Sequence, residues 1–263
     1  MNLHIRRSPP WTGRMHTEYR WLLAQADADP AVRVIVITGE GRAFCAGADA
    51  AALEGHIAKG GYDPGTPEYI ANPGYGVRSE FDAPFAYHFG LSKPVIAAIN
   101  GPAAGVGLVL ACYADLRFAA KGAKLTTAHG KLGLPAEFGL SWLLPRIMGL
   151  THANDLLLSS RVVLAEEAER MGLLNGVFEP AELLRRTYDY ARTLADTVSP
   201  ASLRATRHQV YGDLHRDVAA AVEDADVRLR AMMLGPDYRE GVRAFLEKRA
   251  PKFPGPPDSA GER

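Results

Sequence analysis

Residues 32–49, VRVIVITGEGRAFCAGAD, run from a β-branched apolar segment through a glycine-punctuated bend into small residues that close on one aspartate. Val32 to Gly39 has the continuous apolar character of a strand buried on both faces, as in a parallel sheet covered by helices. The small residues beyond the bend bring almost no side-chain chemistry, so around Ala46 the backbone itself is the group on offer. A second segment repeats the order. KPVIAAING, Lys93 to Gly101, reads as another buried strand, and it runs into PAAGVGLVLACYAD, small residues leading to an apolar helix.

Each turn follows a strand and precedes a helix, where the first backbone N–H groups have no intrahelical acceptor. Two such donors, one near Ala46 and one near Val106, would stabilise negative charge growing on a carbonyl oxygen if they met at one point. The same small residues also serve close strand–helix packing, and spacing alone does not choose between these readings. Nucleotide binding is poorly supported. Gly105 and Gly107 form GVG, but Leu110 stands where a dinucleotide fingerprint needs its third glycine, and no GK[ST] follows any glycine-rich turn.

Strand-like and helix-like segments alternate through the first half, which argues for α/β layering. His16 to Asp29 reads as a helix and Asp115 to Thr127 as one strand or two. Gly60 to Pro73, GGYDPGTPEYIANP, is a candidate mobile or substrate-facing loop. A helix is expected from Gly139, and from Ala165 onward the chain turns helical, with Gly172 at a helix C′ position, then PAELLRRTYDYARTLADT, Arg216 to Leu234, and YREGVRAFLEKRA. VSPAS, Val198 to Ser202, marks a boundary between an α/β core, residues 1–197, and a helical C-terminal part, residues 198–263. The closing PGPPDSAGER reads as disordered.

Over 263 residues, 47% hydrophobic and 23% charged, no apolar run approaches the length of about 20 that a spanning helix needs. The first residues lack the apolar core of a signal peptide, so a cytoplasmic location is the default. Thirty basic and thirty acidic residues cancel without a basic block, which argues against a nucleic-acid surface and points to small molecules or further copies of the chain as partners. Cys45 and Cys112 read as small buried hydrophobes, and no spacing suggests a metal site. His208 and His215, seven apart, are expected to share one helical face.

VIVITGEGRAFCAGAD together with KPVIAAINGPAAGVGLVLACYADLRFAA closely resembles the enoyl-CoA hydratase/isomerase (crotonase) family, and GLPAEFGLSWLLPRIMG, AEEAERMGLLNGVFEP and EGVRAFLEKRAPKF resemble its later segments. The resemblance covers nearly the whole chain. It implies a crotonase-like (ClpP/crotonase) α/β fold of stacked ββα units with a helical C-terminal trimerisation region, forming homotrimers or hexamers. It implies an acyl-CoA thioester as substrate, in fatty acid metabolism, with coenzyme A carried on that substrate and no separate cofactor. By position, the oxyanion-hole amides fall on Ala46 and Val106. Ala48 and Asp49 fall on the loop lying along CoA, while Phe245 and Lys248 fall on a C-terminal helix that reaches a neighbouring subunit's CoA. Ordinary core and surface roles also suit the last two.

The chain departs from the two-glutamate hydratase pattern. Val109 occupies the first glutamate position, where it can contact an acyl group but cannot move a proton, and the second falls on or beside His129. Glu137, in GLPAEFGLSW, occupies a place where family members that handle enolates carry a carboxylate, and a carboxylate in an apolar pocket has a pKa suited to proton transfer. A plain helix-start carboxylate is the rival reading. His129 suits a proton shuttle or a satisfied structural role equally. Tyr113 and Trp142 read as core residues. The N-terminal MNLHIRRSPPWTGRM compresses the family's opening hairpin, which would weaken pairing at the sheet edge. Enolate chemistry on an acyl-CoA is the reading favoured. A hydrolase of a CoA thioester or a carbon–carbon bond, and a catalytically impaired acyl-CoA-binding protein, are the alternatives.

Overall fold

A computed structural model describes residues 2–5, 11–48, 50–60 and 81–253. The central sheet is wholly parallel, with strands β1 (Asn2–Ile5), β2 (Ile35–Gly39), β3 (Val95–Ile99), β5 (Leu116–Ala120) and β8 (Gly176–Phe178) side by side in that order. A smaller sheet holds β4 (Ala103–Ala104), β6 (Lys124–Thr126) and β7 (Val163–Leu164), with β6 between the other two. Among the described residues the α-helices are α1 (Gly13–Ala28), α2 (Ala50–Lys59), the short α3 (Tyr87–Gly90), α4 (Val106–Tyr113), α5 (Leu140–Ser159), α6 (Ala165–Arg170), α7 (Leu183–Thr197), α8 (Pro200–Gly212), α9 (Val218–Met233) and α10 (Pro236–Glu247).

Strands β2, β3 and β5 are buried on both faces because their residues alternate between two cores. Ile35, Ile37, Val95, Ala97 and Ile99 join the larger core with Tyr19 and Leu23 of α1 and Leu108 of α4. Val36, Ile96, Ala98, Phe118 and Ala120 face the other way, onto Leu183 and Ala191 of α7. A period of two with both faces apolar is what the continuous hydrophobic runs of β2 and β3 encode. β2 starts at Ile35 rather than Val32 for a covalent reason. Its partner strand begins at Val95, after Pro94, which has no N–H to donate, and pairing opens with the Ile35 N–H on the Pro94 carbonyl at 2.9 Å. Edge pairing is kept: Asn2 to Ile5 run in register with Val36 to Gly39.

Several helices differ from expectation in their ends. The first starts at Gly13, capped by Thr12, whose Oγ1 accepts from the Met15 N–H. His208 and His215 do not share a helix: α8 stops at Gly212, and His215 lies in a separate 3₁₀ turn where it stacks on Trp142 with centroids 5.6 Å apart. The loop at Gly60 to Pro73 falls outside the described residues beyond Gly60, and so does the 254–263 tail.

The C-terminal helices are pinned to the sheet through Arg207 of α8. Its guanidinium pairs with Asp115, Nε to Oδ2 at 2.9 Å, and also donates to the carbonyls of His88, Phe89 and Leu91. Asp115 in turn accepts from the Val95 N–H at 2.6 Å. One buried ion pair therefore holds α8, α3 and the start of β3 together.

Between α1 and α3 lie two buried histidines among aromatic rings. His88 Nε2 is 3.1 Å from the Tyr19 hydroxyl, and His16 is 4.6 Å from the Phe85 ring centre. Burial, reinforced by Arg207, pushes the His88 pKa down to about 3, and burial with Arg20 pushes His16 down to about 4. Both stay neutral in the folded chain while the unfolded chain takes up protons below about pH 6.5, so stability falls as pH drops through that range. The thermal midpoint is expected to fall between pH 7 and about pH 5, with each histidine costing on the order of 1–2 kcal/mol of stability. Replacing His88 by Gln should flatten that slope in a pH series of melting curves. An unchanged slope in His88→Gln would show that His88 does not contribute to the pH dependence.

Candidate active site

The two small-residue turns are laid directly on one another. The Phe44 and Cys45 N–H groups donate to the Pro102 carbonyl at 3.1 and 3.2 Å, and the Ala104 N–H donates back to the Cys45 carbonyl at 3.0 Å. Cys45 and Ala103 thereby form a parallel bridge. This pairing sets exposed Ala46 beside the residues that lead into α4, whose first residue is Val106. Among the described residues, no backbone acceptor takes the Ala46 or the Val106 N–H. Two unpaired donors thus stand at the junction of two strand–turn–helix units.

Glycine permits this approach at two points. Gly105 caps α4 at φ 50°, ψ −119°, a conformation closed to residues with a side chain. At Gly107 a Cβ would lie 2.1 Å from the Cys45 carbonyl oxygen, so the first turn of α4 touches the neighbouring turn through a missing side chain.

The first turn is shaped by Asn100, a residue not singled out from the sequence beyond its place at the end of a strand. Its Oδ1 accepts from the Gly39 N–H at 3.0 Å, and its Nδ2 donates to the Gly41 carbonyl at 3.0 Å. An Asn–Gly pair after a strand signals a turn, but not that its amide spans the other turn. Asn100→Ala leaves these groups unpaired and is expected to cost about 1–3 kcal/mol of stability, read as a lowered urea midpoint. A midpoint equal to wild type would mean solvent replaces the clamp.

Glu137 is half-buried and immediately precedes a turn that feeds α5. The helix-start reading is not favoured by the geometry. The N-cap of α5 is Gly139, no side chain caps the helix, and the Glu137 carboxyl is raised above the ordinary carboxylate range by burial, with the nearby His129 pulling the other way. A carboxylate serving the helix dipole would be lowered instead.

His129 sits in a 3₁₀ turn and is 4% exposed. Its Nε2–H donates to the Leu157 carbonyl at 3.1 Å, and its buried Nδ1 has no hydrogen-bond partner among the described residues. Val109 of α4 is completely enclosed in the larger core. Ala48 is exposed and bridges Trp11, whose N–H donates to the Gly47 carbonyl at 2.8 Å, while Asp49 lies outside the described residues. Phe245, 82% exposed on α10, and Lys248 at its C-cap belong to the C-terminal helices, and no hydrogen bond joins them to the paired turns among the described residues. Cys45 and Cys112 are buried thiols with pKa values raised by that burial, that of Cys112 to about 12. Among the described residues no cluster of metal-ligating side chains occurs.

Comparison with known proteins agrees with this architecture. The family model described as enoyl-CoA hydratase/isomerase matches residues 11–256. A probable enoyl-CoA hydratase of Mycobacterium bovis is 37% identical over 88% of this chain and 80% of its own length. The 1,2-epoxyphenylacetyl-CoA isomerase of Escherichia coli is 35% identical over 92% of this chain and 88% of its own. The crystal structure of a probable enoyl-CoA hydratase/isomerase from Mycobacterium abscessus superposes with a TM-score of 0.83 at 28% identity, covering 97% of this chain and 95% of the other. With its stacked strand–turn–helix units and helical C-terminal region, the chain belongs to the enoyl-CoA hydratase/isomerase (crotonase) family.

Proposed function

We propose that the protein is an enzyme that binds an acyl-CoA thioester, holds its carbonyl oxygen between the Ala46 and Val106 N–H groups, and uses Glu137 to move a proton at the carbon next to that carbonyl. The observation that supports this reading is the pairing of the two turns through Phe44, Cys45, Pro102 and Ala104, next to Ala46 and Val106 N–H groups that have no backbone acceptor among the described residues. Removing a proton α to a thioester pushes charge onto the carbonyl oxygen, and fixed donors aimed at that oxygen stabilise the charge where it develops. A half-buried carboxyl with a raised pKa and no hydrogen-bonded partner among the described residues is suited to take that proton and return it elsewhere on the acyl chain. His129 lies near enough to act on the Glu137 carboxyl electrostatically, opposing the effect of burial. Val109 supplies no proton, so double-bond isomerisation fits better than hydration by a glutamate pair.

Coenzyme A enters only as part of the substrate in this reading, with Ala48 and Asp49 along it. The apolar face left on α9 and α10, where Leu234 is 77% and Leu246 73% exposed, is covered by further copies of the chain in a homotrimer or a pair of trimers, which brings Phe245 and Lys248 to a neighbour's CoA. A cytoplasmic location for the reaction is part of this proposal. Among the described residues no helix is long and apolar enough to cross a membrane.

Ultraviolet absorbance of the conjugated thioester, followed with crotonyl-CoA and a 3-enoyl-CoA in parallel, tests the reaction. A gain with the 3-enoyl-CoA alone is expected. Loss with crotonyl-CoA would make the enzyme a hydratase that works without the usual glutamate pair. Free thiol released along with that loss would make it a hydrolase instead, because cleaving the thioester also destroys the conjugated chromophore, and silence on both substrates without thiol release would make it an acyl-CoA-binding protein.

A further inference from the structure

The turn that presents Glu137 is built against the preference of its sequence. The Glu137 carbonyl accepts from the Leu140 N–H at 3.0 Å, and both residues between them have positive φ, Phe138 at 48° and Gly139 at 75°. Turns with positive φ at both central positions are the province of glycine, asparagine and aspartate. A phenylalanine there is strained, and such strain persists only where the surroundings over-determine it.

Two contacts do so. The Phe138 ring meets Phe85 edge to face, with centroids 4.9 Å apart, and the Phe138 carbonyl accepts a 2.7 Å hydrogen bond from the Tyr113 hydroxyl. Tyr113 is the last residue of α4, the helix whose first residue carries one of the proposed oxyanion donors, and it is 4% exposed. Burial raises its pKa to about 12, so at neutral pH the phenol keeps the proton it donates. Its oxygen would also stand 2.9 Å from a Cβ at position 139, so the phenol fills the space against the turn. A single rigid helix therefore has Val106 at one end and the clamp on the Glu137 turn at the other.

We infer that Tyr113 is a positioning residue that fixes Glu137 relative to the Val106 N–H by holding the strained Phe138 carbonyl; the catalytic part of this rests on the proton-transfer role proposed for Glu137. Removing only the hydroxyl, in Tyr113→Phe, lets Phe138 relax to negative φ and frees the carboxyl to reach solvent.

The test has two readouts. The first is the titration of the Glu137 carboxyl by carbon-13 nuclear magnetic resonance, in wild type and in Tyr113→Phe. The raised midpoint should move down toward the ordinary carboxylate range in the variant, and Phe138→Gly added to Tyr113→Phe should move it back up, because glycine adopts the turn without strain. The second is turnover of a 3-enoyl-CoA. Tyr113→Phe should lower kcat on the order of ten-fold with KM little changed, and should cost nothing further in a Glu137→Gln background. An unmoved titration together with wild-type kcat, while Glu137→Gln is inactive, would overturn the positioning role and leave the role of Glu137 standing. A moved titration with full activity in Glu137→Gln would keep the clamp and remove Glu137 from catalysis. An equal loss from Tyr113→Phe in both backgrounds would show that Tyr113 acts on something other than Glu137.

Discussion

Glu137→Gln is expected to lower turnover of a 3-enoyl-CoA on the order of 10²–10⁴-fold while KM changes little, because the amide keeps the shape and loses the proton-transfer function. The carboxyl is half-buried and held above the ordinary carboxylate range, so the wild-type pH–rate profile should show an acidic limb above that range, set by loss of the ionised base as pH falls. That limb should vanish in the residual activity of Glu137→Gln. Binding of a saturated acyl-CoA should survive the change, since no hydrogen bond from the carboxyl holds any described part of the fold. Undiminished turnover would remove Glu137 from the mechanism and transfer the proton to His129, whose buried Nδ1 is the other proton-accepting atom in this region without a partner among the described residues.

Gly107→Ala should cost nearly as much through geometry alone. On an exposed helix the substitution would stabilise by about 1 kcal/mol, since alanine is the better helix former. Here the added methyl would lie 2.1 Å from the Cys45 carbonyl oxygen and 2.9 Å from the Cys45 carbonyl carbon, both backbone atoms. The overlap wins over the propensity. α4 and the Cys45–Ala46 turn must separate, which moves the Val106 N–H away from the Ala46 N–H. Loss of one oxyanion donor costs on the order of 10²–10³ in kcat, and the same order is expected here, together with a lower thermal midpoint. The midpoint and the rate report different things, so a variant that melts like wild type and still loses turnover locates the damage at the paired donors. Wild-type turnover in Gly107→Ala would mean the two turns do not act jointly.

Much of the sheet was legible because Ile35 to Gly39 and Val95 to Ile99 are apolar at nearly every position, a pattern that a strand buried on both faces demands. Their ends were less so, because Pro94 limits its partner strand rather than only its own. The small second sheet left almost no signal: Ala103–Ala104 is two residues long and pairs with a segment far away in sequence. Of the proposed site, Ala46 and Val106 were suggested by small residues after strands, and Glu137 by its resemblance to a family pattern. Asn100 and the clamping role of Tyr113 escaped notice for one shared reason. Each acts on the backbone of a distant turn, Asn100 on Gly39 and Gly41, Tyr113 on Phe138, and nothing in the local sequence marks such an acceptor. Phe138 also hides its strain, since a phenylalanine carries no preference for positive φ that could be read in advance.

The measurement that bears most directly on enolate formation is exchange of the protons α to the thioester in deuterated water, followed by proton nuclear magnetic resonance on saturated acyl-CoA thioesters of short, medium and long chain. It reads proton removal next to the carbonyl whether the natural reaction is isomerisation or hydration. The wild-type protein should speed exchange well above the uncatalysed rate for at least one chain length, with Gly107→Ala and Glu137→Gln each far slower. Exchange no faster than in buffer for every chain length, or equal exchange by wild type and Glu137→Gln, would contradict an enolate held by Ala46 and Val106 and formed by Glu137.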